Sequence, residues 1–187
     1  LGQTIVVDNR ASGFLAAEIV AKSPADGYTL LVTGSAVWMS TLFRVVPYDI
    51  NRDFSGIMII EVTPSVLAVH PSLPVKNIKE LIALAKSRPG ALSYGSNSIG
   101  GRGHLGMEMF KSMAGVNILH VPYKGSAAAN TAVLSGETQM VFDDPGLLIP
   151  HAKIGKMRLL AVTTSAPTAL APGLPTVAES GLPGYEL

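Results

Sequence analysis

The chain has no cysteine, which removes disulfide scaffolds, thiol nucleophiles and cysteine-ligated zinc from consideration. Charge is scarce as well. Asp, Glu, Lys and Arg make up 14% of the 187 residues and leave a net charge of +1. No global field recruits nucleic acid or an acidic membrane, so any recognition of an anion must be local. The basic residues are scattered, which excludes a groove tracking a phosphate backbone. Long apolar runs are missing too. Ile57-Met58-Ile59-Ile60 falls far short of the ~18–20 residues that cross a bilayer and has the length of a buried strand. Neither an initiator methionine nor a signal-peptide pattern stands at Leu1, so the chain reads as a processed or truncated piece. His70, His104, His120 and His151 are too dispersed for a short metal-ligand motif, and no metal or cofactor is expected.

Apolar residues are plentiful, at 48% of the chain, alongside 19 glycines and 13 prolines, a globular composition. Thr4-Ile5-Val6-Val7 and Tyr28-Thr29-Leu30-Leu31-Val32 are continuous apolar runs of the kind buried on both faces of a sheet. Between them, residues 14–22 place Phe14, Ala17, Ile19 and Val20 at helical spacing, and Ser23-Pro24-Ala25-Asp26-Gly27 has turn chemistry. A short helix is expected over 37–43. Further strands are expected at 57–60, 65–69, 92–94, 118–121, 138–142 and 159–162, with helices over 78–86, 105–113, 126–134 and 146–153. Asn77 with Glu80 three residues on is close to a capping box, and Ser126 can cap the helix that Gly136 stops. From Ser165 onward, Pro167, Pro172, Pro175 and Pro183 mark an extended segment. Strands alternating with helices predict an α/β fold with largely parallel sheets. The break at His70-Pro71-Ser72-Leu73-Pro74 suggests two lobes: residues 1–69, residues 70–157, and a return into the first over 158–187.

The stretch 94–105 (YGSNSIGGRGHL) sets four glycines, two serines and an asparagine between a strand and a helix. Glycine lets backbone amides turn inward, and amides at a helix N-terminus lack internal partners and carry partial positive charge. This is a cradle for a small anion, carboxylate or phosphate. Thr33-Gly34-Ser35 repeats the pattern in the first lobe. Gly101-Arg102-Gly103-His104-Leu105-Gly106 formally matches a dinucleotide fingerprint, but six residues separate Gly101 from Tyr94, so it is not directly after the strand. Ser96 and Ser98 do not sit in a nucleophile elbow, although either with His104 could be imagined as a hydrolase pair. His104 is expected to cap or orient the loop, and His120 and His151 to be structural. Asp143-Asp144-Pro145 reads as a turn start or a carboxylate site.

Seven segments occur in a set order: Val7-Asp8-Asn9-Arg10, Asp26-Gly27-Tyr28-Thr29-Leu30-Leu31, LIALAKSRPG over 81–90, His104-Leu105, His120-Val121-Pro122-Tyr123-Lys124-Gly125, Gly155-Lys156-Met157-Arg158 and Leu174-Pro175-Thr176-Val177-Ala178-Glu179. Together they resemble the Bug-type periplasmic solute receptors of the tripartite tricarboxylate transporter system. The resemblance implies a two-lobed type II periplasmic-binding-protein fold, each lobe a mostly parallel sheet flanked by helices. It implies a non-enzyme that closes on a small organic acid in the periplasm and delivers it to a membrane permease as a monomer. A sensory module signalling to a partner protein is the other reading within the family. Carried onto this sequence, the ligand-binding residues are Thr33, Gly34 and Ser35 from lobe one. Lobe two contributes Ser96, Asn97, Ser98, Ile99, Gly100, Gly101, His104, Tyr123, Lys124, Gly125 and Asp143. Compared with the family pattern, the chain lacks an N-terminal strand and its following loop, and stops early, so lobe one is expected to be incomplete.

Overall fold

The computed structural model of the protein describes residues 2–10 and 13–187, and the chain divides into two compact units, Leu1–Ile59 and Ile60–Leu187. The first unit contains helices α1 (Gly13–Ala21) and α2 (Ala36–Phe43), close to where the periodicity placed them. They pack around Ala17, Val37 and Tyr48. The Tyr48 hydroxyl donates to the Val37 carbonyl at 3.2 Å, and its ring meets Phe54 edge-on at 5.8 Å.

The strands expected at 4–7, 28–32 and 57–60 do not form among the described residues of this unit. Most of their side chains stand in solvent, with Val6 86% and Tyr28 92% exposed, while Leu31 packs against the helical cluster. A β-branched run becomes a strand only when a neighbour closes its backbone hydrogen bonds; among the described residues no ladder pairs with these three.

The second unit holds a five-stranded sheet flanked by four helices. In chain order these are β1 (Val66–Val69), α3 (Ile78–Ser87), β2 (Ser93–Ser96), α4 (Arg102–Ala114), β3 (Leu119–Pro122), α5 (Ser126–Ser135), β4 (Met140–Asp143), α6 (Pro145–Lys153) and β5 (Arg158–Val162). The spatial order is β3-β2-β4-β1-β5. Strands β3, β2 and β4 run parallel, whereas β1 is antiparallel to both β4 and β5. Four strands therefore point one way and β1 alone is reversed.

Both faces of the sheet are covered, which is why β1 and β4 read as unbroken apolar runs. Leu67, Val69, Met140 and Phe142 face Ile78, Leu81, Met107 and Phe110 of α3 and α4. Val66, Ala68 and Val141 alternate to the other face, against Ala129, Val133 and Leu148 of α5 and α6. Helix α3 starts as its sequence predicts: Asn77 Oδ1 accepts the Glu80 amide at 2.9 Å, and Glu80 accepts the Lys76 amide at 2.7 Å. Helix α5 ends at Gly136 with φ +78°, the left-handed geometry that favours glycine. Its N-cap, however, is Gly125, and no side chain caps it. Ser126 is instead turned to Asp143.

Residues 158–187, expected to return to the first lobe, belong to the second unit. Strand β5 pairs with β1, and the proline-marked tail wraps onto the same core through Val177, Leu182 and Tyr185. The Tyr185 hydroxyl donates to the Gly106 carbonyl of α4 at 2.9 Å. Likewise 60–69, assigned from sequence to the first lobe, lies in the second unit. Strand β1 is the shared neighbour of β4 and β5.

Candidate functional site

Parallel strands β2, β3 and β4 deliver their C-terminal ends to one edge of the sheet, the edge where open α/β sheets bind ligands. Three segments meet there: 97–101 ahead of α4, 123–125 ahead of α5, and Asp143-Asp144 ahead of α6. The Tyr123 amide donates to the Ser96 carbonyl at 2.9 Å and the Gly125 amide to the Asn97 carbonyl at 3.0 Å, which stitches the first two together. Asn97 Nδ2 reaches Ser126 Oγ at 3.4 Å, and the Ser126 hydroxyl donates to Asp143 at 3.1 Å.

Asp143 is almost wholly buried, 6% exposed. Its carboxylate accepts from Ser126, from Asn130 Nδ2 at 3.0 Å and from the Asp144 amide at 2.9 Å. A buried carboxylate is tolerable only with such partners. These bonds make Asp143 the tie between β4, α5 and the start of α6. Ser126 and Asn130 escaped the sequence reading because they are on a helix whose facing strand is known only from the sheet order.

The glycines of the loop shape it from within. Gly100 has φ +76°, a conformation costly for other residues. A methyl group on Gly101 would stand 2.4 Å from Ser98 Oγ and 2.8 Å from Asn97 Oδ1. The amides of both glycines have partners inside the loop: Gly100 donates to His104 Nδ1 at 3.0 Å and Gly101 to the Ser98 carbonyl at 3.4 Å. Ile99 is exposed at the loop's tip, and Lys124 and Gly125 are exposed beside it. Arg102 opens α4 and bonds Asp144 at 2.8 Å and the Thr63 carbonyl. It joins two of the edge segments to the irregular segment that leads into β1. Thr33, Gly34 and Ser35 are in the first unit, where Ser35 caps α2 without a side-chain bond.

Ser96 is fully buried. Its hydroxyl donates to the Ser98 carbonyl at 3.1 Å, and His120 Nε2 stands 2.6 Å from its oxygen. With the hydroxyl proton given to Ser98, His120 Nε2 is the donor. The partner of Ser96 is thus His120, and the imagined pairing with His104 gives way to a buried structural serine. The His120 ring lies between Tyr94 and His104, stacked at 4.8 and 4.1 Å between centroids. Burial, then the neighbouring His104, pushes His120 down to about 4, and burial lowers His104 as well. Below them Tyr94 donates to Glu108 at 2.7 Å, and Lys111 donates to Glu108 at 2.6 Å. Burial resists the charge on Glu108, but these two bonds and the nearby positive charge hold it below the ordinary range. His120 is structural, as expected, and its place follows from register: parallel pairing sets Tyr94 beside His120, a neighbour relation absent from either segment alone.

The model of the tripartite tricarboxylate transporter family receptor matches residues 1–187. A UPF0065 protein from the tcbD-tcbE intergenic region of Pseudomonas sp. (strain P51) is 35% identical over 191 residues, covering 100% of this chain and 57% of that protein. Protein BugT of Bordetella pertussis is 34% identical over 190 residues, covering 99% of this chain and 58% of its own length. Among solved structures, R. palustris Rpa4515 with adipate superposes with a TM-score of 0.90 at 41% identity, over 100% of this chain and 64% of that one. The chain spans less than two thirds of the length of each of these relatives.

Proposed function

The chain belongs to the tripartite tricarboxylate transporter family of receptors, and on that premise we propose that it binds a small organic carboxylate at the edge built from residues 97–101, 123–126 and 143. The observation that carries this reading is the convergence of three strand ends on a glycine-shaped loop, in a chain that superposes along its full length on a relative described with adipate. The first turns of α4 and α5 open on this edge, and their amides favour an anion. Charge-assisted bonds from such amides and from Asn97 and Ser98 would hold the carboxylate. Asp143, saturated by its own partners, shapes the floor.

Thr33, Gly34 and Ser35 are proposed as further ligand-contacting residues, with ligand shifting the population of receptor conformations. The solute is taken up in the periplasm and passed, unchanged chemically, to a membrane permease. Among the described residues no helix is long and apolar enough to cross a membrane.

A thermal-shift screen against mono-, di- and tricarboxylates, amino acids and phosphates tests it. Ligand at about 100 times its dissociation constant adds about 2.7 kcal/mol, a rise on the order of 5–10 °C for a chain of this size. A shift confined to carboxylates is expected. Equal response to phosphates, or response to no acid, would overturn the assignment.

A further inference from the structure

We propose that His104 and His120 are positioning residues, a titratable prop that holds the loop 97–101 in place only while His104 is neutral. Gly100 sits at the left-handed turn of the loop, φ +76°, and its amide donates to His104 Nδ1 at 3.0 Å. Only a neutral imidazole with its proton on Nε2 can accept there. A second proton must go onto Nδ1, which sets two N–H donors face to face and releases Gly100.

His120 fixes the plane of the His104 ring by stacking on it at 4.1 Å. It is itself pinned to Ser96 Oγ at 2.6 Å and to the Tyr94 ring. Its Nε2–H bond survives protonation, so the breakable contact is the one His104 makes. The other ionisable groups facing the pair are Tyr94 from β2 and Glu108 and Lys111 from α4. Glu108 favours an imidazolium. Lys111, 5.7 Å over the Tyr94 ring, opposes it, and His104 opposes the charging of His120. Burial tips the balance toward neutrality, since it lowers both imidazoles. The unfolded chain then binds more protons than the folded one as pH falls below about 6.5. The prop is whole above that pH and is lost on acidification.

The consequence for ligand, which rests on the receptor reading above, is that carboxylate affinity falls by about tenfold per pH unit below the His104 pKa. The ligand-free chain decides the prop itself. In nitrogen-15 NMR from pH 8 to 4.5, the Gly100 amide should hold steady around neutrality and move only with the His104 imidazole, which burial holds below the ordinary histidine range. H104N offers an uncharged acceptor in the same place and should flatten that movement. An amide indifferent to the His104 titration, or an H104N profile that follows the wild type, would overturn the proposal. Adipate titrations at pH 7.5 and 5 form the second arm. Wild type should lose more affinity than H104N, which cancels the titration of adipate itself. Equal losses would refute the link to binding. Absence of adipate binding at pH 7.5 would count against the receptor reading, while the Gly100 amide would still decide the prop.

Discussion

Gly101 shows how closely the candidate loop is fitted. Its backbone is extended, φ −74°, so no left-handed strain forbids a side chain. What forbids it is space, because a Cβ would meet Ser98 Oγ and Asn97 Oδ1 at distances no real contact reaches. Gly101→Val must displace the two polar side chains offered to ligand while leaving the sheet and its core untouched. We expect loss of at least about tenfold in carboxylate affinity, or roughly 1.4 kcal/mol, with secondary structure by circular dichroism unchanged. Unaltered affinity in a folded variant would remove 97–101 from the site. The same residue marks the limit of the sequence reading: four glycines indicated a loop, but which of them turns the chain and which yields room depends on φ and on neighbours. Gly100 turns it, Gly101 yields room, and the amides of both are consumed inside the loop.

Helix α4 meets the sheet through another glycine. A Cβ on Gly103 would stand 2.5 Å from the Phe142 carbonyl oxygen of β4, a backbone atom in the middle of the sheet. Helix propensity alone argues that Gly103→Ala should stabilise by up to about 1 kcal/mol. Overpacking against an immovable carbonyl costs about 1–3 kcal/mol, so the contact should win. A lowered urea midpoint with unchanged slope is the expected result, and a raised midpoint would mean that α4 can ride off the sheet at little cost. Local signals of this kind were legible where a single segment carries them. Asn77 with Glu80, the stop at Gly136, and the apolar runs of β1 and β4 all announced their elements within a residue or two. Pairing was not legible. Nothing in Val66-Leu67-Ala68-Val69 says that it runs against its neighbours, or that β5 joins it and carries the tail into the same core. A candidate edge was legible because strand ends preceding glycine are recognisable; the pairings of Ser126 and Asn130 with Asp143, and of His120 with Ser96, were not, because these partners lie across helices and strands. His104 was expected to orient the loop and does so through the Gly100 amide.

The two units differ in kind, and that difference has a measurable consequence. The second has five paired strands with helices on both faces and a core that includes Tyr94, Phe110, Met140 and Tyr185. The first has two helices around a small cluster, and three apolar runs whose side chains are largely in water. Opening free energies in a protein run from near zero to the global value according to how many backbone bonds and buried contacts hold a segment. Amides of β1, β2 and β4 should therefore exchange only through global unfolding. Amides at 4–7, 28–32 and 57–60 have no ladder among the described residues and should exchange within seconds. Hydrogen exchange read by mass spectrometry, on the ligand-free chain and again with saturating carboxylate, checks this in one experiment. Ligand held by residues 97–101 and 123–126 should slow those segments and leave the core of β1 and β4 as it was. Slowing at 33–35 as well would mean that the first unit takes part in the grip; fast exchange there with protection only at 97–101 would confine recognition to the sheet-bearing unit. Slow exchange at 4–7 in the free chain would contradict the unpaired state of that run, and with it the contrast between the two units.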